Sequence, residues 1–379
     1  MSNQNQREFR ALGEFGSFID ANDFKAIFLV VDRAACEAAG VFPRLSPFFK
    51  GRSVFAFDQF IENPRLEHIK SGVDAFRETE ADLVFAVGGG TAIDVGKMIR
   101  FFARQEASPE SIIADSNLIR PETNIPFAAI PTTAGSGSEA THFAVVYVDG
   151  VKFSVAHDSI LPNMTVVDPT LTYSMPPGLT ATSGLDVLCQ GIESMWSVNS
   201  TSESYGYGIE ALALAVENLH AAVSGPTPAS RSAMSRAANL AGKAINISKT
   251  TAPHAVSYAI TTGFGVPHGH AVALTLAPFL EFNADVDSSN VADSRGVDHV
   301  RKVIGDVVET LGCKTTMEAQ GMIRSLMNSI GCVTCLGDVG VTSKAQRLQV
   351  AKSVNAARLA NNPRVITGKD IDEILESIR

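Results

Sequence analysis

Apolar runs of strand length alternate with helix-compatible stretches through the first half of the chain. KAIFLVVD, Lys25 to Asp32, holds six consecutive apolar residues, the pattern of a strand buried on both faces, and the alanine-rich RAACEAAG follows it. ADLVFAVGGG is a second such run. It leads into TAIDVGKMIRFFA, where Ile93, Lys97, Ile99 and Phe102 leave a partly apolar helical face. IPFAAIPTTAGSGSEAT repeats the pattern of strand, glycine-rich turn and helix-compatible continuation. In FAVVYVDGVKFSVAH, Asp149-Gly150 separates two β-like runs and predicts a hairpin. Alternating β and α elements predict a doubly wound, mainly parallel sheet with helices on both faces, a Rossmann-like α/β domain.

The character changes near SMPPGLTATSG, Ser174 to Gly184, where prolines and glycines cluster. Beyond it lie long helical stretches: ESYGYGIEALALAVENLHAAV, RSAMSRAANLAGKAINIS, VDHVRKVIGDVVETLG, SKAQRLQVAKSVNAARLA and GKDIDEILESI. Strand signals nearly vanish there. The expectation is an α/β domain over residues 1–178 joined to an all-α domain over 179–379.

Composition narrows the partners. Of 379 residues, 45% are hydrophobic and 19% charged, as in ordinary globular proteins. A net charge of -9, with no compact Lys/Arg cluster, argues against a nucleic-acid partner. The start MSNQNQREFR is polar and lacks the apolar core of a signal peptide. AIFLVV and AVALTLAPFL fall short of the ~20 residues that span a bilayer. The expectation is a soluble cytoplasmic protein acting on a small molecule, with no membrane partner. Of five cysteines, Cys332 and Cys335 form a lone CxxC without a second pair, and are read as ordinary thiols.

Two glycine-rich turns carry candidate chemistry. GGGTAID, Gly88 to Asp94, follows an apolar strand and opens a helix, so its backbone can approach a phosphate at the helix N-terminus. TTAGSGSEAT, Thr132 to Thr141, is a second such turn, rich in hydroxyls. Either turn alone is equally a tight loop; together they favour a nucleotide pyrophosphate. Asp32 ends its strand where an adenosine ribose lies in a doubly wound fold, which favours NAD over NADP, although adjacent Arg33 could receive a phosphate. The other reading of Asp32 is a helix cap.

A second constellation sits in the helical half. His254 and His268 flank an apolar, glycine-punctuated stretch, and upstream Asp186 and Gln190 stand at i and i+4 on one helix face. One carboxylate, one amide oxygen and two imidazoles suit a divalent ion with open positions; the other reading is a set of satisfied buried side chains.

GGGTAIDVGK, PTTAGSGSEAT, LPNMTVVDPTLTYSMPPGLTATSGLDVL, FGVPHGHAVALTLAPFLEFN and LANNPRVITGKDIDEIL together resemble the iron-containing (group III) alcohol dehydrogenase family, of the dehydroquinate-synthase-like fold. The resemblance covers nearly the whole chain. It implies that residues 1–178 bind a dinucleotide and that 179–379 bind metal and substrate. The cofactor implied is NAD, with NADP less favoured, held by Asp32, Gly88, Gly89, Gly90, Asp94, Thr132, Thr133, Ser138 and Lys152. The metal implied is one divalent ion, Fe or Zn, on Asp186, Gln190, His254 and His268. The family's usual D-x-x-x-H reads D-x-x-x-Q here, and a glutamine oxygen is a weaker, harder ligand than imidazole. Tyr258 stands where many members carry a further histidine; it either donates a proton or packs the pocket.

The implied reaction is reversible hydride transfer between a nicotinamide and a CH–OH or carbonyl carbon. LDVLCQGIESMWSVNSTSES, APHAVSY and PHGHAVALTL are similar to the branch that includes phosphonoacetaldehyde reductases, which reduce a small aldehyde with an anionic head. His270 either helps neutralise such a head or starts a helix facing solvent. Another branch oxidises the terminal alcohol of an acidic sugar of the 3-deoxy-octulosonate type. A dehydroquinate-synthase-like lyase and a weak nucleotide-binding protein are the readings from other classes. The resemblance also implies a homodimer or larger assembly.

Overall fold

The computed structural model describes residues 6–120, 125–354 and 356–379. The polar first five residues, and position 355 within SKAQRLQVAKSVNAARLA, lie outside the described residues. The chain divides into two compact units, Met1–Met175 and Pro176–Arg379.

The first unit holds strands β1 (Arg7–Phe9), β2 (Ala26–Val31), β3 (Ser53–Phe57), β4 (Leu83–Gly88), β5 (Phe127–Pro131), β6 (Phe143–Val148), β7 (Val151–Ala156) and β8 (Met164–Val166). Its helices are α1 (Leu12–Ala21), α2 (Arg33–Ala38), α3 (Val41–Phe49), α4 (Leu66–Arg77), α5 (Gly90–Phe102) and α6 (Pro109–Ala114). Six strands form one parallel sheet in the order β1-β8-β5-β4-β2-β3. Period-2 alternation splits its side chains between two cores. Phe28, Val30, Val84, Ala86 and Phe127 pack under α4 and α5, while Ile27, Leu29, Val31, Phe85 and Val87 pack under α1 and α3. Each of the larger of these side chains contributes roughly 1.5–3 kcal/mol by burial.

The register pairs Val31 with Val87 and Gly88 with Pro131, so the carboxyl ends of β2, β4 and β5 finish level. After β3 the chain crosses back to the other side of β2, which makes the β2–β4 crevice a topological switch point.

Three details depart from the sequence reading. Strands β1, β3 and β8 carry too few apolar residues, or too much exposure, to register as buried runs. The stretch after the second glycine-rich turn makes only a 3-10 turn at Ser138–Ala140 before β6 begins. The cause is α5: Asp94 accepts from Ser138 Oγ and from the Val145 N–H (2.9 Å), which draws the chain straight into the β6–β7 hairpin. α5 itself is buried around nearly its whole circumference, Lys97 and Arg100 included. The hairpin forms as predicted, β6 antiparallel to β7, with φ of 50° at Asp149 and 77° at Gly150 supplying the turn.

The second unit consists of helices α7 (Pro177–Trp196), α8 (Ser202–Ser224), α9 (Pro228–Ser248), α10 (Ala252–Phe264), α11 (His268–Ala284), α12 (Val297–Thr310), α13 (Thr316–Ser329), α14 (Lys344–Lys352), α15 (Ala356–Leu359) and α16 (Gly368–Ser377). Among its described residues the only β pairing is an isolated bridge between Val291 and Arg364. Pro177 occupies a first-turn position of α7, where its missing N–H costs nothing, so most of SMPPGLTATSG is helix rather than linker. α7 is the hub. From Gly184 to Trp196 it is buried on every side, packed by α8, α9 and α11. Among the described residues no helix is long and apolar enough to cross a membrane.

Candidate functional site

A buried carboxylate stripe on α7 organises the helical unit. Asp186, Gln190 and Glu193 follow one another at helical spacing, and all three are buried. His254, in the first turn of α10, lies between two of them. Its Nε2 donates to Asp186 Oδ1 (3.2 Å) and its Nδ1 to Glu193 Oε1 (2.5 Å). His268, first residue of α11, closes the group: one ligand atom each from Asp186, His254 and His268 lie within 4.8 Å of one another. The PHGH turn explains how α11 comes so near. A β-carbon at Gly269 would overlap the Thr182 carbonyl and stand 2.8 Å from Asp186 Cβ, so only glycine lets α11 begin against the backbone of α7.

Electrostatics tie the cluster together. Burial alone raises the Asp186 carboxyl, but the His254 hydrogen bond, the His268 and His254 charges and the Gln190 amide more than reverse it, and its pKa is lowered. Burial works against the His254 imidazolium, yet the Glu193 charge and hydrogen bonds donated to both carboxylates raise its pKa to about 10. Glu193 is the residue that sequence reasoning missed. Its second oxygen accepts from the Thr251 N–H (2.6 Å) and hydroxyl (2.9 Å), and Trp196 Nε1 donates to that hydroxyl (2.8 Å). A buried carboxylate thus sits at the α10 N-terminus and fixes the His254 ring, the arrangement by which histidine ligands are oriented. Its spacing of three from Gln190 was the available signal.

Tyr258 stacks on His268, ring centroids 5.5 Å apart and planes 6° from parallel. Its Oη accepts from Arg358 Nη1 at 2.7 Å. His270 does not join the group. The start of α11 turns it inward, where its Nε2 donates to the Val333 carbonyl (2.8 Å), so neither an anion-facing nor a solvent-facing role fits it. All five cysteines are free; Cys332 is buried and Cys335 exposed, and neither joins a metal-binding group among the described residues.

In the α/β unit, Asp32, Gly88, Gly89, Gly90, Thr132 and Thr133 gather at the level carboxyl ends of β2, β4 and β5. Gly88 has φ of 150°, and a β-carbon there would stand 2.7 Å from Ala92 Cβ and 2.9 Å from Asp32 Cβ. Asp32 caps α2, accepting from the Ala35 N–H (3.1 Å), and neighbouring Arg33 pairs with Asp58 (2.8 Å). Gly89 is the N-cap of α5 with no side-chain cap bond, and Thr133 borders it. The Thr132 N–H bonds to the Gly88 carbonyl (2.9 Å), joining the two turns. Asp94 and Ser138 face inward. Lys97 Nζ donates to Ser138 Oγ (3.0 Å), Thr141 Oγ1 (2.9 Å) and the Phe143 carbonyl (2.9 Å), and stands 3.9 Å from Asp94. Burial lowers the Lys97 pKa to about 8 against the pull of Asp94 and Glu139. Burial likewise raises the pKa of Asp94, with Lys97, Ser138, Val145 and Lys152 opposing. Lys152 lies on the half-exposed face of β7.

Residues 7–169 match the iron-containing alcohol dehydrogenase family, and residues 180–379 match the C-terminal part of the Fe-containing alcohol dehydrogenase family. The chain belongs to this family. As an iron-containing alcohol dehydrogenase it is an oxidoreductase acting on CH–OH groups, and its fold is dehydroquinate-synthase-like. A phosphonoacetaldehyde reductase of Streptomyces viridochromogenes is 32% identical over 307 residues, which cover 79% of this chain and 76% of that protein. The structure of a sulfoacetaldehyde reductase from Bifidobacterium kashiwanohense in complex with NAD+ is 28% identical. It superposes with a TM-score of 0.87 over 99% of this chain and 97% of that one. An iron-containing alcohol dehydrogenase of Thermotoga maritima, 25% identical, gives a TM-score of 0.83 over 98% and 96%.

The alcohol dehydrogenase fits both groups that its family implies. Toward a metal, the donor set is one carboxylate and two imidazoles. Beside them Gln190 Oε1 is buried without a hydrogen-bond donor, while the same side chain hydrogen-bonds Asp186. Toward a dinucleotide, α5 opens with uncapped N–H groups over a glycine turn, and Thr132 Oγ1 is a second buried oxygen lacking a partner.

Proposed function

We propose that the chain is a metal-dependent, NAD(H)-linked reductase of a small aldehyde carrying an anionic head, of the phosphonoacetaldehyde or sulfoacetaldehyde kind. The observation that carries this reading is the convergence of Asp186, His254 and His268 within 4.8 Å, next to the Gln190 oxygen. Substrate class rests on the two relatives named for two-carbon aldehydes, one a phosphonate and the other a sulfonate.

In this reading residues 179–379 hold one divalent ion on Asp186, Gln190, His254 and His268, and residues 1–178 hold the dinucleotide. The ion supplies Lewis-acid polarisation of the substrate oxygen, and the nicotinamide supplies or takes the hydride. Glu193 keeps His254 Nδ1 protonated, so that Nε2 is the atom turned to the ion. Tyr258 braces the His268 ring by stacking and is the proton donor to the nascent alkoxide. Its Oη already accepts from Arg358, which directs its own proton elsewhere and lets the guanidinium charge stabilise the phenolate left behind.

In the dinucleotide half, Asp32 receives the adenosine ribose, and Asp32 with Asp58 favours NAD over NADP. The uncapped start of α5, with Gly88 to Gly90, takes the pyrophosphate, alongside Thr132 and Thr133. Asp94, Ser138 and Lys152 act as positioning residues, because the first two are bonded inward through Lys97 and the third acts on Asp94 by charge.

The test is one purified preparation assayed for metal content and for NADH oxidation with phosphonoacetaldehyde, sulfoacetaldehyde and propanal, with an acidic-sugar alcohol plus NAD alongside. Metal-dependent turnover that favours the anionic aldehydes is expected. Turnover of the sugar alcohol alone overturns the substrate class; no metal retained after reconstitution overturns the site.

A further inference from the structure

The motif LANNPRV is the stretch of the helical unit that the metal cluster leaves unexplained, and the structure ties it to that cluster. Asn361 Nδ2 donates to the Thr250 carbonyl (3.0 Å), next to the Thr251 that Glu193 holds, and the Asn361 carbonyl accepts from the Val198 N–H (3.0 Å) just past α7. Asn362, fully buried, donates to Asn283 Oδ1 (2.8 Å) on α11 and to the Arg364 carbonyl (2.9 Å). These bonds fasten the segment to the three helices that carry Asp186, His254 and His268. The residue so positioned is Arg358. Its guanidinium carbon lies 4.6 Å from the Tyr258 ring centroid, and its Nη1 reaches Tyr258 Oη at 2.7 Å.

Among the described residues no carboxylate pairs with Arg358. Arg295 pairs with Asp293 (2.6 Å) and Arg347 with Glu376, while buried Arg100 and Arg231 spend donors on protein oxygens such as the Asn163 amide and the Thr180 hydroxyl. A half-buried guanidinium whose partner is a neutral phenol, and which has further donor positions beyond the one on Tyr258, is chemically suited to an anion. Tyr258 connects it to the ligands, with its Oη at Arg358 Nη1 and its ring stacked on His268, centroids 5.5 Å apart.

We propose that Arg358 is the specificity residue of this enzyme, receiving the tetrahedral anionic head, phosphonate or sulfonate, of the substrate. This rests on the anionic-aldehyde reading above and assigns to Arg358 the part that His270, bound to Val333, does not take. A planar guanidinium offers two parallel N–H donors to such a head, so lysine is only a partial replacement.

The experiment compares kcat/KM for phosphonoacetaldehyde and for propanal in the metal-loaded wild type, Arg358→Gln and Arg358→Lys, with thermal melts to establish folding. The expected result is a fall of about a hundredfold in the anionic-to-neutral ratio for Arg358→Gln, chiefly through KM, and a smaller fall for Arg358→Lys. Binding of 2-hydroxyethylphosphonate to the NADH-bound protein, read by calorimetry, weakens by a similar factor. If both aldehydes lose kcat equally and the ratio stands, Arg358 acts only through Tyr258. The proposal is then overturned while the anionic-aldehyde reading survives. If the wild type itself shows no preference for the anionic aldehyde, that reading fails and the proposal falls with it.

Discussion

If Asp186, His254 and His268 hold the ion as proposed, its uptake is coupled to loss of a proton. In the metal-free protein both carboxylates flank His254, through hydrogen bonds of 3.2 Å to Asp186 and 2.5 Å to Glu193, and its pKa is raised to about 10. A metal ligand must present a deprotonated Nε2, the atom whose proton now goes to Asp186. Near pH 7 the apparent affinity is therefore reduced by roughly a thousandfold from its high-pH limit, and it rises about tenfold per pH unit until pH approaches 10. The stability of the metal-free protein moves the other way. A histidine whose folded pKa exceeds its unfolded value of about 6.5 contributes stability fully below that pH and loses it as pH climbs through about 10. Titration of the apo protein with zinc at about pH 8, in buffers of different ionisation enthalpy, should register close to one proton released per ion. Glu193→Gln removes the strongest of the charges that raise His254, while keeping the shape of the side chain. Its proton release should fall below half, and its pH slope should flatten. Wild-type affinity that is flat between about pH 7 and 9, with no proton released, would refute the reasoning, because His254 would then be neutral in the empty site.

Asp32→Asn keeps the cap on the Ala35 N–H but removes the charge, so the NADP-to-NAD ratio of kcat/KM should rise about tenfold, read in parallel saturation curves. Gly269→Ala should lower stability by about 2 kcal/mol or more and weaken metal retention, because the new methyl must push α11 off the Thr182 carbonyl; unaltered denaturant midpoint and metal content would count against the packing argument. Lys249, exposed at the end of α9 with φ of 60° and ψ of 175°, occupies backbone space suited to glycine. Lys249→Gly should therefore stabilise the fold by about 1 kcal/mol in chemical denaturation.

What could be read in the sequence follows from where the physical signal was local. AIFLVV, LVFAVG and FAAIP are buried on both faces, so their apolar runs announce β2, β4 and β5 outright. The alternating, exposed β3 and the three-residue β1 and β8 depend on partners far along the chain, as when Arg7 pairs with Met164. Asp186, His254 and His268 were legible as ligand types at suggestive spacing. Glu193 and Arg358 were not, because their meaning lies in contacts made 61 and 100 residues away, to His254 and Tyr258. His270 shows the converse: a promising residue type whose partner, the Val333 carbonyl, no local pattern discloses.

Glutamine at position 190 then acquires a physical context. A third imidazole would add a soft, strongly binding donor beside His254, a group that Glu193 already makes more electron-rich by accepting a hydrogen bond from its Nδ1. The amide oxygen is harder and binds more weakly, but the Gln190 side chain also donates to Asp186, which an imidazole ligating through one nitrogen could do only from the far side of its ring. That donation helps hold Asp186 ionised while the site is empty, when His254 is still protonated and the cluster needs an anion at its centre. Gln190 and Glu193 thus divide between them what preorganises the ligands: one secures the carboxylate, the other the imidazole. Gln190→His should therefore raise metal affinity while leaving the wild-type pH slope in place, since that slope belongs to His254 and Glu193. A slope that disappears in Gln190→His, as measured by the same zinc titration across about pH 7 to 9, would mean that the coupled proton is not the one held between His254 and its two carboxylates.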